Sequence, residues 1–186
     1  MLKSPHMRLA SGDVSLTLIL SVIGLGAATA RAQSERWLLT RFVEHDVAVE
    51  IALERDRTGK TWLVGTYAPT RAAFHLYGKD LPKAGIHGVA RPTLLELVSS
   101  ASIRPAGSLV ADRPTIDLHV AVLGSTFPVY PEGPVTLRLP VTLTARDSAT
   151  AELSVTYMAC SDRTCLPPVI DRRIAVRIPG LAATAP

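Results

Sequence analysis

The sequence predicts an all-β protein built as an antiparallel β-sandwich, and three observations carry that prediction. Several separate runs alternate apolar with polar or smaller residues at a period of two, as half-buried strands do. Stretches rich in Gly and Pro divide those runs. No stretch sustains the roughly 3.6-residue period of an amphipathic helix. Short strands separated by turn signals bury their apolar faces best as two packed sheets.

Along the chain, Val47, Val49, Ile51 and Leu53 alternate with Ala48, Glu50, Ala52 and Glu54. The turn Arg57-Thr58-Gly59-Lys60 follows, and then Thr61 to Tyr67, so the two runs read as a hairpin. A third strand is expected over Ile116 to Val122. In the fourth, Val135, Leu137, Leu139, Val141 and Leu143 share one face, with Thr136, Arg138, Pro140, Thr142 and Thr144 on the other. Pro140 lacks an N–H to donate, which predicts an edge strand or a bulge. Leu153, Val155 and Tyr157 share a face of the fifth strand, and Ile170, Ile174, Val176 and Ile178 share a face of the last. Residues 68 to 93 and 124 to 134 are expected to be loop-rich, and no internal repeat is present. Trp37 reads as packing in a lead-in segment and Trp62 as core.

The chain has 186 residues, 47% of them hydrophobic, with 20 Lys+Arg against 16 Asp+Glu. That length suits one domain, and the apolar content excludes a disordered chain. The first 32 residues read as an export signal: Lys3 and Arg8 make a basic start, Val14 to Leu25 is apolar, and Ala30-Arg31-Ala32 is a cleavage signature. Met7 as initiator would only shorten the basic start. An uncleaved anchor is the alternative, disfavoured by the short apolar run and the cleavage signature. Cleavage leaves 154 residues with 17 basic and 15 acidic side chains. Such scattered, nearly balanced charge excludes an electrostatic footprint for nucleic acid. No later run approaches the length of a membrane span, so the mature protein is expected to be exported, soluble and free of stable membrane insertion. The expected organisation is a signal over 1–32, a lead-in over 33–43, the sandwich over 44–179 and a flexible tail over 180–186.

The strongest chemical constellation is Tyr157-Met158-Ala159-Cys160-Ser161-Asp162-Arg163-Thr164-Cys165-Leu166-Pro167-Pro168. Its two cysteines flank a four-residue turn between two expected strands. Strand ends in a tight hairpin fall within the Cα separation of about 4.4–6.8 Å that a disulfide needs. An exported protein meets conditions in which that bond forms. The pair can therefore cycle between dithiol and disulfide, or serve as a structural staple. Pro167 and Pro168 stiffen the exit and withhold two backbone donors. Arg163 would lower a neighbouring thiol pKa and Asp162 would raise it.

This segment resembles the amino-terminal periplasmic domain of the thiol:disulfide interchange protein DsbD and the related disulfide bond corrector domains. Tyr157, Cys160, Cys165, Pro167 and Pro168 match that family's Tyr-x-x-Cys, short polar turn and Cys-x-Pro-Pro. Upstream, Phe74-His75-Leu76-Tyr77-Gly78-Lys79-Asp80-Leu81-Pro82 through Gly88, then Arg91-Pro92-Thr93-Leu94-Leu95-Glu96-Leu97, resembles the family's aromatic, Gly and Pro-Thr-x-Leu-Glu stretch. The resemblance spans roughly residues 44 to 178. It implies an immunoglobulin-like sandwich with a redox-active pair, in which Cys165 is the exchanging sulfur and Cys160 the resolving one. Electrons would come from a membrane-embedded or thioredoxin-like thiol–disulfide oxidoreductase and pass to exported disulfide proteins, with no cofactor. The four residues between the cysteines depart from the five associated with DsbD, so turn geometry and potential are expected to differ. The membrane and thioredoxin parts of that protein have no counterpart here, which implies separately encoded partners or a different use of the same fold. Phe74 and Tyr77 are candidates to shield the disulfide, or else core residues.

Two rival readings remain: a protein-binding sandwich with a structural disulfide, and a copper(I) protein using Cys160, Cys165 and Met158 as soft ligands. His45, His75, His87 and His119 show no metal-ligand spacing and are expected to be solvated or hydrogen-bonded. No metal site is predicted. No Cys-x-x-Cys, haem attachment motif or serine-nucleophile motif is present. Arg172 and Arg173 read as a solvated face.

Overall fold

In the computed structural model, which describes residues 34–86, 88–121, 124–144 and 146–180, most of the expected alternation becomes strands of two antiparallel sheets. The strand expected from Ile116 ends at Val120 and forms a separate two-stranded pair with residues 125–129. The expected export signal, residues 181–186 of the expected tail and His87 lie outside the described residues. No helix among the described residues is long and apolar enough to cross a membrane.

The chain runs through β1 (Glu35–Glu44), β2 (Val47–Arg55), β3 (Thr61–Pro69), β4 (His75–Leu76), β5 (Leu94–Ser100), β6 (Ile103–Pro105) and β7 (Val110–Ala111). It continues through β8 (Ile116–Val120), β9 (Ser125–Val129), β10 (Val135–Leu143), β11 (Ala149–Tyr157), β12 (Ala159–Cys160) and β13 (Val169–Ile178). One sheet has the order β1-β2-β3-β10-β6, with β7 also on β10, and the other the order β13-β11-β5. Their inner faces meet in one core, to which Val49, Ile51, Leu53, Leu63, Tyr67, Leu137 and Leu139 contribute from the first sheet. Leu95, Leu153, Val155, Tyr157, Val176 and Ile178 contribute from the second. This two-layer burial is the antiparallel sandwich that the alternation predicts.

The β2–β3 hairpin forms as expected, and Asp56 organises its turn. Its Oδ1 accepts the Thr58 and Lys60 N–H groups and its Oδ2 accepts the Trp62 indole N–H at 3.0 Å. These donors, with the Thr58 hydroxyl foremost, hold the Asp56 carboxyl at about 2. Trp62 is not core, contrary to the expectation. Thr61 and Leu63 take the inward positions of β3, so the indole lies on the outer face between Lys60, 4.0 Å from the ring centroid, and Arg138.

Several other expectations are corrected by phase and pairing. Residues 35–43, read as a lead-in, form most of β1 and pair along β2. A register shift between Leu38 and Thr40 breaks the period of two that would have marked the strand. Residues 125–129, inside a stretch read as loop, are β9, and β4 and β5 interrupt or follow the other loop-rich stretch. Pro140 is not in an edge strand, but it does face an irregularity, since the partner register shifts by two residues between Val141↔Pro105 and Arg138↔Val110. β10 is paired on both sides, and Pro140 lies where β7 has ended and β6 has not begun. Its carbonyl still accepts the Ala106 N–H at 2.8 Å, and a side chain at Gly107 would press on its ring.

Ile170 does not share the face of Ile174, Val176 and Ile178. A register shift between Val155 and Tyr157 and a left-handed Asp171 (φ 50°) reset β13, so that Val169 turns inward and Ile170 outward. Ion pairs then tie β13 to its neighbours: Lys83 lies 2.6 Å from Asp171 and 2.7 Å from Glu96. The Arg172 guanidinium pairs with Glu44 and stacks 3.8 Å from the Phe42 ring centroid, so Arg172 is a cross-sheet contact and not simply solvated.

The reset phase has a direct consequence for stability. Val169→Ala is expected to cost about 2 kcal/mol in urea unfolding, whereas Ile170→Ala stays within about 0.5 kcal/mol. The reverse order would restore the unshifted register.

Candidate functional site

The segment that carries the cysteines begins in the main core. Tyr157 is buried there, 5.6 Å centroid to centroid from Tyr67 in an edge-to-face arrangement, and its hydroxyl donates to the Glu44 carbonyl at 3.2 Å. Burial pushes the phenol of each of these tyrosines upward. After Tyr157 the chain leaves the β13-β11-β5 sheet, and Ala159 and Cys160 pair instead with Leu76 and His75 of β4. β4 is flanked on its other edge by the segment around β9, through the Tyr77↔Val129 bridge, the Tyr130 N–H to the Leu76 carbonyl and the Gly78 N–H to the Pro128 carbonyl. Gly78 is required here, since a Cβ would stand 2.8 Å from Thr115 Cγ2.

Cys160 and Cys165 form a disulfide with Cα atoms 4.0 Å apart, slightly closer than the expected range. The backbone pattern explains the closeness. Ser161 N–H donates to the Thr164 carbonyl and Leu166 N–H to the Ala159 carbonyl, at 2.8 and 2.9 Å. Cys160 and Cys165 are therefore a non-hydrogen-bonded antiparallel pair, the kind whose side chains approach most closely. The Ser161 hydroxyl accepts the Arg163 and Thr164 N–H groups and closes the turn. Asp162 and Arg163 stand exposed at its tip, 3.6 Å from each other, so their opposed influences on the thiols largely cancel in solvent. Pro167 is exposed and Pro168 half-buried on the exit to β13.

The disulfide does not lie in the main core. Cys160 is 2% exposed and belongs to a second, smaller apolar cluster with Tyr77, Ala90, Phe127, Val129 and Met158, against which the half-buried Cys165 also packs. Tyr77 meets Phe127 edge to face at 5.7 Å. Of the two candidate shielding aromatics, Tyr77 is thus brought to Cys160, while Phe74 is buried in the main core with Arg71 over its ring. Met158 is brought to the cluster as well, between β11 and β12.

The residue that sequence reasoning missed is His75. It stands directly opposite Cys160 on β4, and its Nδ1 is buried without a hydrogen-bond partner, so it is neither solvated nor bonded at that nitrogen as expected. The Tyr77 hydroxyl, two residues on and on the same face, is also buried and unpartnered, and burial pushes the phenol up to about 12. No local pattern announces His75, because only the β4–β12 pairing places it beside a cysteine. Among the described residues no group of three or more His, Cys, Asp or Glu is placed to hold a metal.

Chemically, the arrangement is a disulfide between one buried and one half-buried cysteine, a turn held by its own hydroxyl, and apolar cover over Cys160. No family model matches the chain, and no curated protein and no solved structure matches it.

An unpartnered buried hydroxyl carries a desolvation cost of about 1–3 kcal/mol. Tyr77→Phe is therefore expected to leave the oxidised protein as stable or more stable in thermal unfolding. A loss of more than about 1 kcal/mol would mean that the hydroxyl has a partner in the folded protein.

Proposed function

We propose that the protein is a thiol–disulfide exchange module that passes reducing equivalents through Cys160 and Cys165. The observation that carries this reading is the placement of the disulfide: it closes a four-residue turn outside the main core and joins neither sheet to the other. Chain entropy gives so short a loop only about 2 kcal/mol of stabilisation, a weak reason to keep a staple. The half-buried Cys165, rather than the buried Cys160, is by contrast the cysteine a partner thiolate can approach. The resemblance of Tyr157, Cys160, Cys165, Pro167 and Pro168 to the amino-terminal domain of DsbD supports the same reading, and the immunoglobulin-like grouping of the sandwich belongs to it.

Exposure gives the two sulfurs different parts. A donor thiolate attacks Sγ of Cys165, a new S–S bond forms there, and the Cys160–Cys165 bond breaks with its electron pair left on Cys160. The donor's second thiolate then displaces Cys165 and leaves as a disulfide, so two electrons have entered the pair. The Cys165 thiolate next attacks the disulfide of an exported protein, and Cys160 resolves the mixed disulfide. Donor and acceptor are thiol–disulfide proteins, and no cofactor enters. This chemistry suits a periplasmic or otherwise exported protein, the location that the expected signal implies.

Single-cysteine variants of the full chain test the assignment. With glutathione disulfide, Cys160→Ser (free Cys165) is expected to form its mixed disulfide roughly tenfold faster than Cys165→Ser (free Cys160). Equal rates, or an oxidised pair that resists excess dithiothreitol until the protein unfolds, would overturn the reading in favour of a stapled binding module.

A further inference from the structure

We propose that His75 is the proton partner of Cys160, so that its imidazole takes charge of the sulfur released when the disulfide opens. This rests on the exchange reading above and deepens it. The placement follows from pairing. Ala159 and Ser161 direct backbone groups to the hairpin strand, through their bonds with Leu166 and Thr164, so those of Cys160 face β4. On β4, Leu76 turns its carbonyl to the Tyr130 N–H on the opposite edge, so the backbone of His75 faces β12. Cys160 and His75 are thus direct partners, and direct partners project their side chains from the same face with Cβ atoms about 4.5–5.5 Å apart.

The division of the two faces agrees. Leu76 and its partner Ala159 belong to the main core, whereas Tyr77 and Cys160 belong to the small cluster. His75 precedes Tyr77 by two residues and therefore shares the face of Cys160. Its ring nitrogen Nδ1 is shut off from water and has no partner while the disulfide is closed. An unpartnered buried nitrogen is costly in one state and explained in another. Opening the disulfide supplies what is missing, because a Cys160 thiolate is a hydrogen-bond acceptor and a proton acceptor.

A donor thiolate forms a bond to Sγ of Cys165, the Cys160–Cys165 bond breaks, and Cys160 departs with the electron pair. The imidazolium of His75 transfers its proton to that thiolate, or pairs with it as an ion, and the neutral imidazole is reprotonated from solvent. A leaving thiol of lower pKa departs faster, so His75 speeds opening by the donor. The groups nearest β4 along the chain and on its flanking segment are engaged elsewhere: Lys79 pairs with Asp80 at 2.6 Å, and the Tyr130 hydroxyl accepts the Lys79 N–H at 3.2 Å. Tyr77 directly follows β4, and Cys165 follows the turn whose tip carries the mutually paired Asp162 and Arg163. Glu132 is engaged by the Ala73 N–H at 2.7 Å, and Arg71 by Asp46 at 2.6 Å. Among the described groups so placed, His75 is the one that stands directly opposite Cys160.

The test compares full-length protein with His75→Gln and His75→Phe in reduction by dithiothreitol from pH 5 to 8. The unsubstituted protein is expected to be reduced roughly tenfold faster than either variant at the acid end. That ratio should decline toward one as rising pH removes the imidazolium proton. A ratio independent of pH would make His75 merely structural and overturn the proposal while leaving exchange intact. A native protein that resists dithiothreitol would overturn both. A measurement that does not require a His75 variant to fold is the thiolate absorbance of Cys165→Ser. Cys160 is expected to ionise at least one pH unit below the free-thiol value of about 8.5, and ionisation at or above that value would contradict the role given to His75.

Discussion

The chain's departure from its own sheet between Tyr157 and Cys160 is the constraint on which the site depends. Up to Tyr157 the segment is an inner strand of the β13-β11-β5 sheet, with side chains in the main core. Tyr157 anchors that end through its contact with Tyr67 and its bond to the Glu44 carbonyl. Beyond Met158 the same chain joins β4 and places Cys160 in a different apolar cluster. The disulfide therefore lies outside the main core and joins neither of its two sheets to the other. A rigid strand end and a locally closed turn can present a bond to a partner while the core stays untouched.

This separation also sorts the polar groups. The main core satisfies its buried tyrosines: Tyr67 donates to the Leu94 carbonyl at 2.8 Å, and Tyr157 to the Glu44 carbonyl. The small cluster does not, and the His75 nitrogen and the Tyr77 hydroxyl both remain without partners beside the closed disulfide. Two unsatisfied groups at and just after β4, beside the cluster that holds Cys160, fit a site arranged for a state other than the oxidised one.

The sandwich and most of its long strands were legible because one face of each is buried, which leaves a period of two in the sequence. The β2–β3 hairpin and β10 follow that pattern closely. Legibility failed wherever an irregular register changed the phase, as at Leu38 in β1 and Asp171 in β13, and where a strand was too short to show a period, as at β4. Trp62 was misplaced because aromatic size suggests burial, whereas its position in the alternation puts it outside with Lys60 and Arg138. The cysteine hairpin could be read from its turn and spacing. His75 could not, since its meaning depends on a pairing between distant segments that no local pattern encodes.

The account stands or falls on whether the Cys160–Cys165 bond is an exchangeable one, and its reduction potential measures that directly. Equilibration of the full chain in graded dithiol buffers, followed by alkylation and mass spectrometry, reads the two thiols together. The account predicts a single two-electron transition clearly above about −300 mV, the range of exchangeable disulfides. A transition well below that value would identify a structural disulfide and contradict the central claim.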